Sequence, residues 1–200
     1  MNEDGDRRKV IQLRELLPAT SAGIYLDTAT RGPLPAETAA AMREADDWDL
    51  AVGRVWAGRA EDVAQRADEA RAVVAALIGA DPAAITLTNG ADDARRLAEQ
   101  ALGARAQVVD ITHSAGAMQV NVAELGADAV VLSADRWLLG PEASGALWLA
   151  SPAAATGTPT LARTTLIGLA RSVGWLEMYV GLEWAFERTA RLAQVLRTAL

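Results

Sequence analysis

The sequence predicts an α/β fold in which helices cover a layered sheet. Apolar stripes at helical spacing alternate along the chain with short apolar segments, and each segment is bounded by Gly, Pro or Asp. Length and composition agree, since 200 residues, 51% of them apolar, bury a substantial core within one domain.

The elements follow in order. Residues 1 to 20 are polar and mixed in charge and read as an N-terminal arm or a frayed helix, ahead of the apolar segment Ile24-Tyr25-Leu26. Gly32-Pro33-Leu34-Pro35 forces a turn, and Pro35 suits the first turn of a helix running to about Leu50, with Glu37 near its positive end. From Ala60 to Ile78, Val63, Ala67, Ala70, Val74 and Leu77 alternate spacings of four and three, so one helix face is apolar and Gly79 ends it. Ile85 to Thr88 reads as a strand, Asn89-Gly90 as a turn, and Ala91 to Leu102 as a helix. Further strands are expected at Gln107 to Ile111, Ala129 to Leu132 and Gly145 to Leu149. After a loop over 151 to 165, one long helix is expected to Leu200, with the stripe Leu182, Phe186, Thr189, Ala193, Leu196 and Leu200. No internal repeat is visible.

Charge and composition exclude several functions. The net charge is -7, with 19 basic residues against 26 acidic ones, which disfavours nucleic acid and membrane surfaces as partners. The absence of cysteine removes disulfides, thiolate catalysis and thiolate metal sites, and the single histidine, His113, argues against a metal centre. The first ten residues lack the apolar core of a secretory signal, and no apolar run matches the roughly twenty residues of a membrane span. A cytoplasmic protein is the resulting expectation. The six tryptophans show no periodicity, which suits packing rather than a base-stacking platform. Glu183 and Glu187, with Arg188 and Arg191 nearby, read as a solvated helix face.

Five segments, in order, carry a resemblance: I-Y-L-D-T-A-T-R-G-P-L-P (24–35), I-T-L-T-N-G-A-D-D-A (85–94), V-V-D-I-T-H-S-A-G (108–116), the S-A-D-R-W-L-L-G-P-E-A-S-G stretch from Ser133 to Gly145, and the last helix from Val173. Together they resemble the class V aminotransferases, the pyridoxal-phosphate fold type I family, in its isopenicillin-epimerase-like and cysteine-desulfurase-like branch. The resemblance implies a cofactor cup at Gly90, Ala91 and Asp92, where free N–H groups of a helix start attract phosphate. It places Asp110 at the pyridinium nitrogen and His113 beside the ring. Ser133 falls just before the Schiff-base lysine, and Trp137, Gly140, Pro141 and Gly145 match residues after it.

The departures fall on separate physical requirements. Arg136 stands at the lysine position, and a guanidinium keeps its charge and forms no Schiff base. The chain's single lysine, Lys9, lies in the N-terminal tail. Asp135 replaces the histidine usual before that lysine. Asp92 replaces a small hydroxyl residue in the cup, where a carboxylate suits the helix end as a cap but repels a phosphate dianion. The segment that in the family spans the second, third and fourth strands is reduced to 103–107, and the small C-terminal domain is expected to be absent.

What remains by this resemblance is a reduced large domain over 21–200: a three-layer αβα unit with a mostly parallel sheet of four strands, in the order 107–111, 129–132, 145–149, 85–88, the third antiparallel to the others. The first becomes an exposed edge and so a template for another chain. A buried salt bridge is expected between Asp110 and Arg136. His113 is weighed as a general acid or base against a hydrogen-bonded packing residue, and the second role is favoured.

The functional expectation is a degenerate, non-catalytic protein that does not bind pyridoxal phosphate covalently. It would pair as a homo-oligomer or with an intact paralogue. The alternatives are a pyridoxal-phosphate enzyme acting on a small amino acid, and a small-anion binding module built from Arg136, Ser133 and the helix start at Ala91.

Overall fold

The computed structural model describes residues 3–151 and 161–199. Six α-helices accompany four strands: α1 (Glu3–Glu15), α2 (Ala36–Val52), α3 (Arg59–Ile78), β1 (Ile85–Thr88), α4 (Ala91–Leu102), β2 (Val108–Asp110), β3 (Ala129–Ser133), β4 (Gly145–Leu149), α5 (Arg163–Trp175) and α6 (Leu182–Ala199). The loop expected over 151–165 lies mostly outside the described residues, and α5 begins within it.

The sheet order is β1-β4-β3-β2, the order expected from the sequence. β2 pairs parallel with β3, while β4 is antiparallel to both neighbours, with Ser133 and Thr88 each opposite Gly145. Three strands thus share a direction. Because β4 is inserted between β1 and β3, two of the three pairings are antiparallel, so the sheet is mixed, and "mostly parallel" describes strand direction only.

Alternation along the strands divides the core into two layers. Ile85, Leu87, Val130, Leu132 and Ala146 face one side and pack with Ala67, Ala70, Val74 and Ile78 of α3 and with Leu166, Leu169 and Val173 of α5. Ala129, Val131, Leu147 and Leu149 face the other, under Ala94 and Ala98 of α4. Helices cover both faces. α3 stops at Gly79, left-handed at φ 68°, where the Ala80 N–H reaches the Ala75 carbonyl at 2.9 Å.

Two expectations at the chain ends change. The single C-terminal helix is broken: Leu176–Val180 form a π turn, closed by the Gly181 N–H on the Leu176 carbonyl at 2.9 Å, with Gly181 at φ 79°. Within the predicted stripe Leu182 packs against the core, but 191–199 are exposed and Leu196 is 61% accessible.

At the other end, α1 docks. Leu13 is buried in the core, and Asp6 accepts hydrogen bonds from Arg188, from Arg191 at 2.8 Å and from the Trp184 indole N–H at 2.8 Å. Lys9 sits 4.3 Å from the Trp184 ring centroid, within cation–π range. Arg188 and Arg191, expected on a solvated face, therefore tie α6 to α1. The hydrogen bond from Arg191 is the largest cause that holds the Asp6 carboxyl down, from 3.8 to about 2. A depressed carboxylate contributes stability that is complete above its unfolded pKa and lost as pH falls through its folded one. The substitution D6N should therefore flatten the fall in melting temperature between pH 3.8 and about 2, with the parent showing the steeper loss.

Candidate functional site

The C-terminal ends of β1, β2 and β3 and the start of β4 meet at one edge of the sheet, where open α/β sheets place their ligand crevices. A cavity of about 430 Å³ opens there. Gly90, Ala91, Asp92, Asp110, His113, Ser133 and Arg136 all line it, so positions up to 46 residues apart in sequence are brought together.

A hydrogen-bonded ladder ties the three strand ends together. Asp110 Oδ1 accepts the Thr112 N–H at 2.9 Å, Thr112 Oγ1 accepts the Ser133 N–H at 3.0 Å, and Ser133 Oγ accepts the Ala91 N–H at 2.8 Å. Thr112 was missed in the sequence; Asp110 sets the Asx turn by accepting a backbone N–H two residues on, and that turn brings the Thr112 hydroxyl to β3. Gly90 adopts φ 123°, and a Cβ there would lie 3.1 Å from Ser133 Oγ. A Cβ on Gly145 would lie 2.7 Å from Gly90 Cα and 2.3 Å from the Leu132 carbonyl. Both glycines are needed for β4 to pass beneath the turn.

The second wall is a strap formed by 29–32 over the loop 134–140. The Gly32 N–H donates to the Asp135 carbonyl at 2.8 Å, and Arg136 Nη1 donates to the Ala29 carbonyl at 2.7 Å. Arg31 pairs with the Asp135 carboxylate, whose side chain is only 8% exposed, and its Nε lies 3.7 Å from Glu142. A Cβ on Gly32 would come within 2.1 Å of the Arg136 carbonyl, so no larger residue allows this contact. Arg31, Glu142 and Ser144 were not foreseen as cavity residues. Arg31 does lie inside the segment that carries the N-terminal resemblance.

Three expectations about side chains are corrected. The Asp110–Arg136 bridge does not form: Asp110 is half exposed on the edge strand and faces α4, like Val108 two residues before it, and it pairs with Arg95 at 3.4 Å. Arg136 Nε instead lies 3.9 Å from the neighbouring Asp135 carboxylate. Asp92 does not cap α4. Among the described residues no side chain caps α4; Asp93 reaches back to the Asn89 N–H, ahead of the helix, at 3.1 Å, and that bond, ahead of the Arg96 contact, lowers its pKa. His113 is exposed and has no hydrogen-bond partner among the described residues, so the packing role assigned to it is not taken.

The residues do not fit a covalently held pyridoxal phosphate. The lysine position offers a guanidinium already bound to a carbonyl, the position assigned to the pyridinium nitrogen is engaged by Arg95, and one N–H of the helix start is taken by Ser133. Among the described residues no group of acidic or histidine side chains is placed to hold a metal ion.

The chain has the class V aminotransferase fold, which it shares with solved cysteine desulfurases. The cystine C–S lyase C-DES, solved with glycine covalently linked to its pyridoxal phosphate, superposes with a TM-score of 0.69 at 14% identity, over 87% of this chain and 76% of that one. An apo cysteine desulfurase from Thermococcus onnurineus gives 0.64 at 18% identity, over 86% and 71%. The Escherichia coli cysteine desulfurase CsdA gives 0.62 at 19%, over 86% and 73%. No family model and no curated protein matches the sequence.

The loop that carries Arg136 is held from beneath. Leu139, left-handed at φ 53°, presents its carbonyl to Ser172 Oγ at 2.8 Å, and Ser172 in turn accepts from Thr38 Oγ1 at 2.9 Å, all buried. The substitution S172A leaves the Leu139 carbonyl and the Thr38 hydroxyl without partners, so urea denaturation should show a loss of about 1–3 kcal/mol.

Proposed function

We propose that this chain is a non-catalytic protein of the class V aminotransferase fold, a reduced large domain that works in the cytoplasm through association with another chain of that fold. The carrying observation is Arg136. Its guanidinium cannot attack an aldehyde, and its Nη1 is committed to the Ala29 carbonyl, so the residue at the Schiff-base position has become part of a strap. Lys9 is engaged at Trp184 and does not line the cavity.

Association is supported by the edge strand β2. The Gln107 carbonyl accepts from Asp128 and Ala129, and the Ile111 N–H donates to Val131, so the odd-numbered residues pair inward. By alternation, the N–H and C=O groups of Val108 and Asp110 face outward, ready for a further strand. The partner is a second copy or an intact paralogue.

Two measurements check this. Incubation with equimolar pyridoxal phosphate followed by borohydride and peptide mass spectrometry should label Lys9, the chain's one lysine, and the N-terminal amine only in trace; stoichiometric labelling of Lys9, which would mean that it enters a cofactor site, removes the proposal. The substitution V108P, which deletes an outward N–H on an edge strand where proline is tolerated, should leave the circular dichroism unchanged. In light scattering it should convert the assembled species to monomer, whereas assembly untouched by V108P rules out the β2 edge.

A further inference from the structure

Building on the non-catalytic reading, we infer that Asp92 is a specificity-determining residue that keeps phosphate esters out of the cavity, independently of the loss of lysine at position 136. α4 has twelve residues, and its first turn carries two carboxylates, Asp92 and Asp93. A helix start with free N–H groups attracts anions, and side-chain carboxylates in the first turn satisfy the same potential.

The two acids differ. Asp93 is neutralised, accepting from the Asn89 N–H at 3.1 Å and from Arg96 at 2.6 Å. Asp92 is exposed, lines the cavity, and has neither an ion-pair nor a hydrogen-bond partner among the described residues. Its charge therefore has no side-chain counterion and itself occupies the helix-start potential that a phosphate would need.

The rest of the lining does not offset it. Of the four carboxylates in the lining, Asp110 is paired with Arg95 and Asp135 with Arg31, which leaves Asp92 and Glu142 against the Arg136 guanidinium. Arg31 is bound to Asp135, and Arg136 to the Ala29 carbonyl. A dianion entering this cavity meets a net negative wall, and the Ala91 N–H at the helix start is already donated to Ser133. The barrier to phosphate is thus distinct from the barrier to Schiff-base chemistry, and repairing the second leaves the first in place.

The test compares the parent chain with R136K, D92S and R136K/D92S. Inorganic phosphate should raise the melting temperature of D92S by roughly 3–6 °C at roughly ten times its Kd. The parent and R136K should not move. With pyridoxal phosphate and borohydride, the double variant should be labelled stoichiometrically at position 136 and R136K only in trace; pyridoxal without its phosphate should label both variants equally. Phosphate stabilising the parent as much as D92S, a folded D92S that ignores phosphate, or full labelling of R136K alone would each overturn the assignment of Asp92. Stoichiometric labelling of Lys9 in the parent at equimolar pyridoxal phosphate would instead bring down the non-catalytic reading, so the two failures are distinguishable.

Discussion

The contact of residues 29–32 with the loop 134–140 sets the chemistry of the whole crevice. Gly32 approaches the Arg136 carbonyl so closely that a side chain is sterically forbidden, and its N–H donates to the Asp135 carbonyl. Once these backbones are in register, Arg31 meets the Asp135 carboxylate, and Arg136 can reach the Ala29 carbonyl. Four polar groups then pair, although Asp135 Oδ1 and Arg136 Nε stay buried without a hydrogen bond among the described residues, 3.9 Å apart. The net energy of such half-buried ion pairs is small, but removing one partner strands the other. The strap is therefore a constraint on geometry more than a source of stability, and it leaves Arg136 as a structural cation.

The layers beneath supply the rigidity. Buried Thr38 and Ser172 connect α2, α5 and the Leu139 carbonyl, so the loop is braced by two helices from different parts of the chain. On the far side the Asp110–Thr112–Ser133 ladder fixes the ends of β2 and β3 relative to the helix start. The crevice thus has two walls braced by hydrogen bonds within the chain.

Much of the fold was legible because apolar periodicity is local information. The α3 stripe, Gly79 and the four apolar segments mark their elements without reference to anything distant. The strand order came from the resemblance and agrees with the structure. Part of the cavity's membership was legible for the same reason, but Arg31, Thr112, Glu142 and Ser144 were not, nor were the side-chain partners. Whether Asp110 meets Arg95 or Arg136 depends on which face of β2 lies under α4, and α4 reaches that face only through tertiary packing. The break at Gly181 carried a signal in the glycine itself, which the unbroken apolar spacing on either side obscured. The Asp6 cluster joins residues almost the full chain apart, and no local pattern announces it.

The thinness of one layer has a consequence for how this crevice can change. α4 rests on the sheet through Ala94 and Ala98, both completely enclosed against Ala129, Val131, Leu147 and Leu149. Substituting a bulkier residue at either alanine would lever the helix outward and carry Asn89, Gly90 and Ala91 with it, widening the mouth without touching any residue that lines it. Drift in the lining leaves the outline intact, whereas drift in two methyl groups beneath would redraw it. The contour of the crevice is thus set by smallness in the floor rather than by the residues that line it.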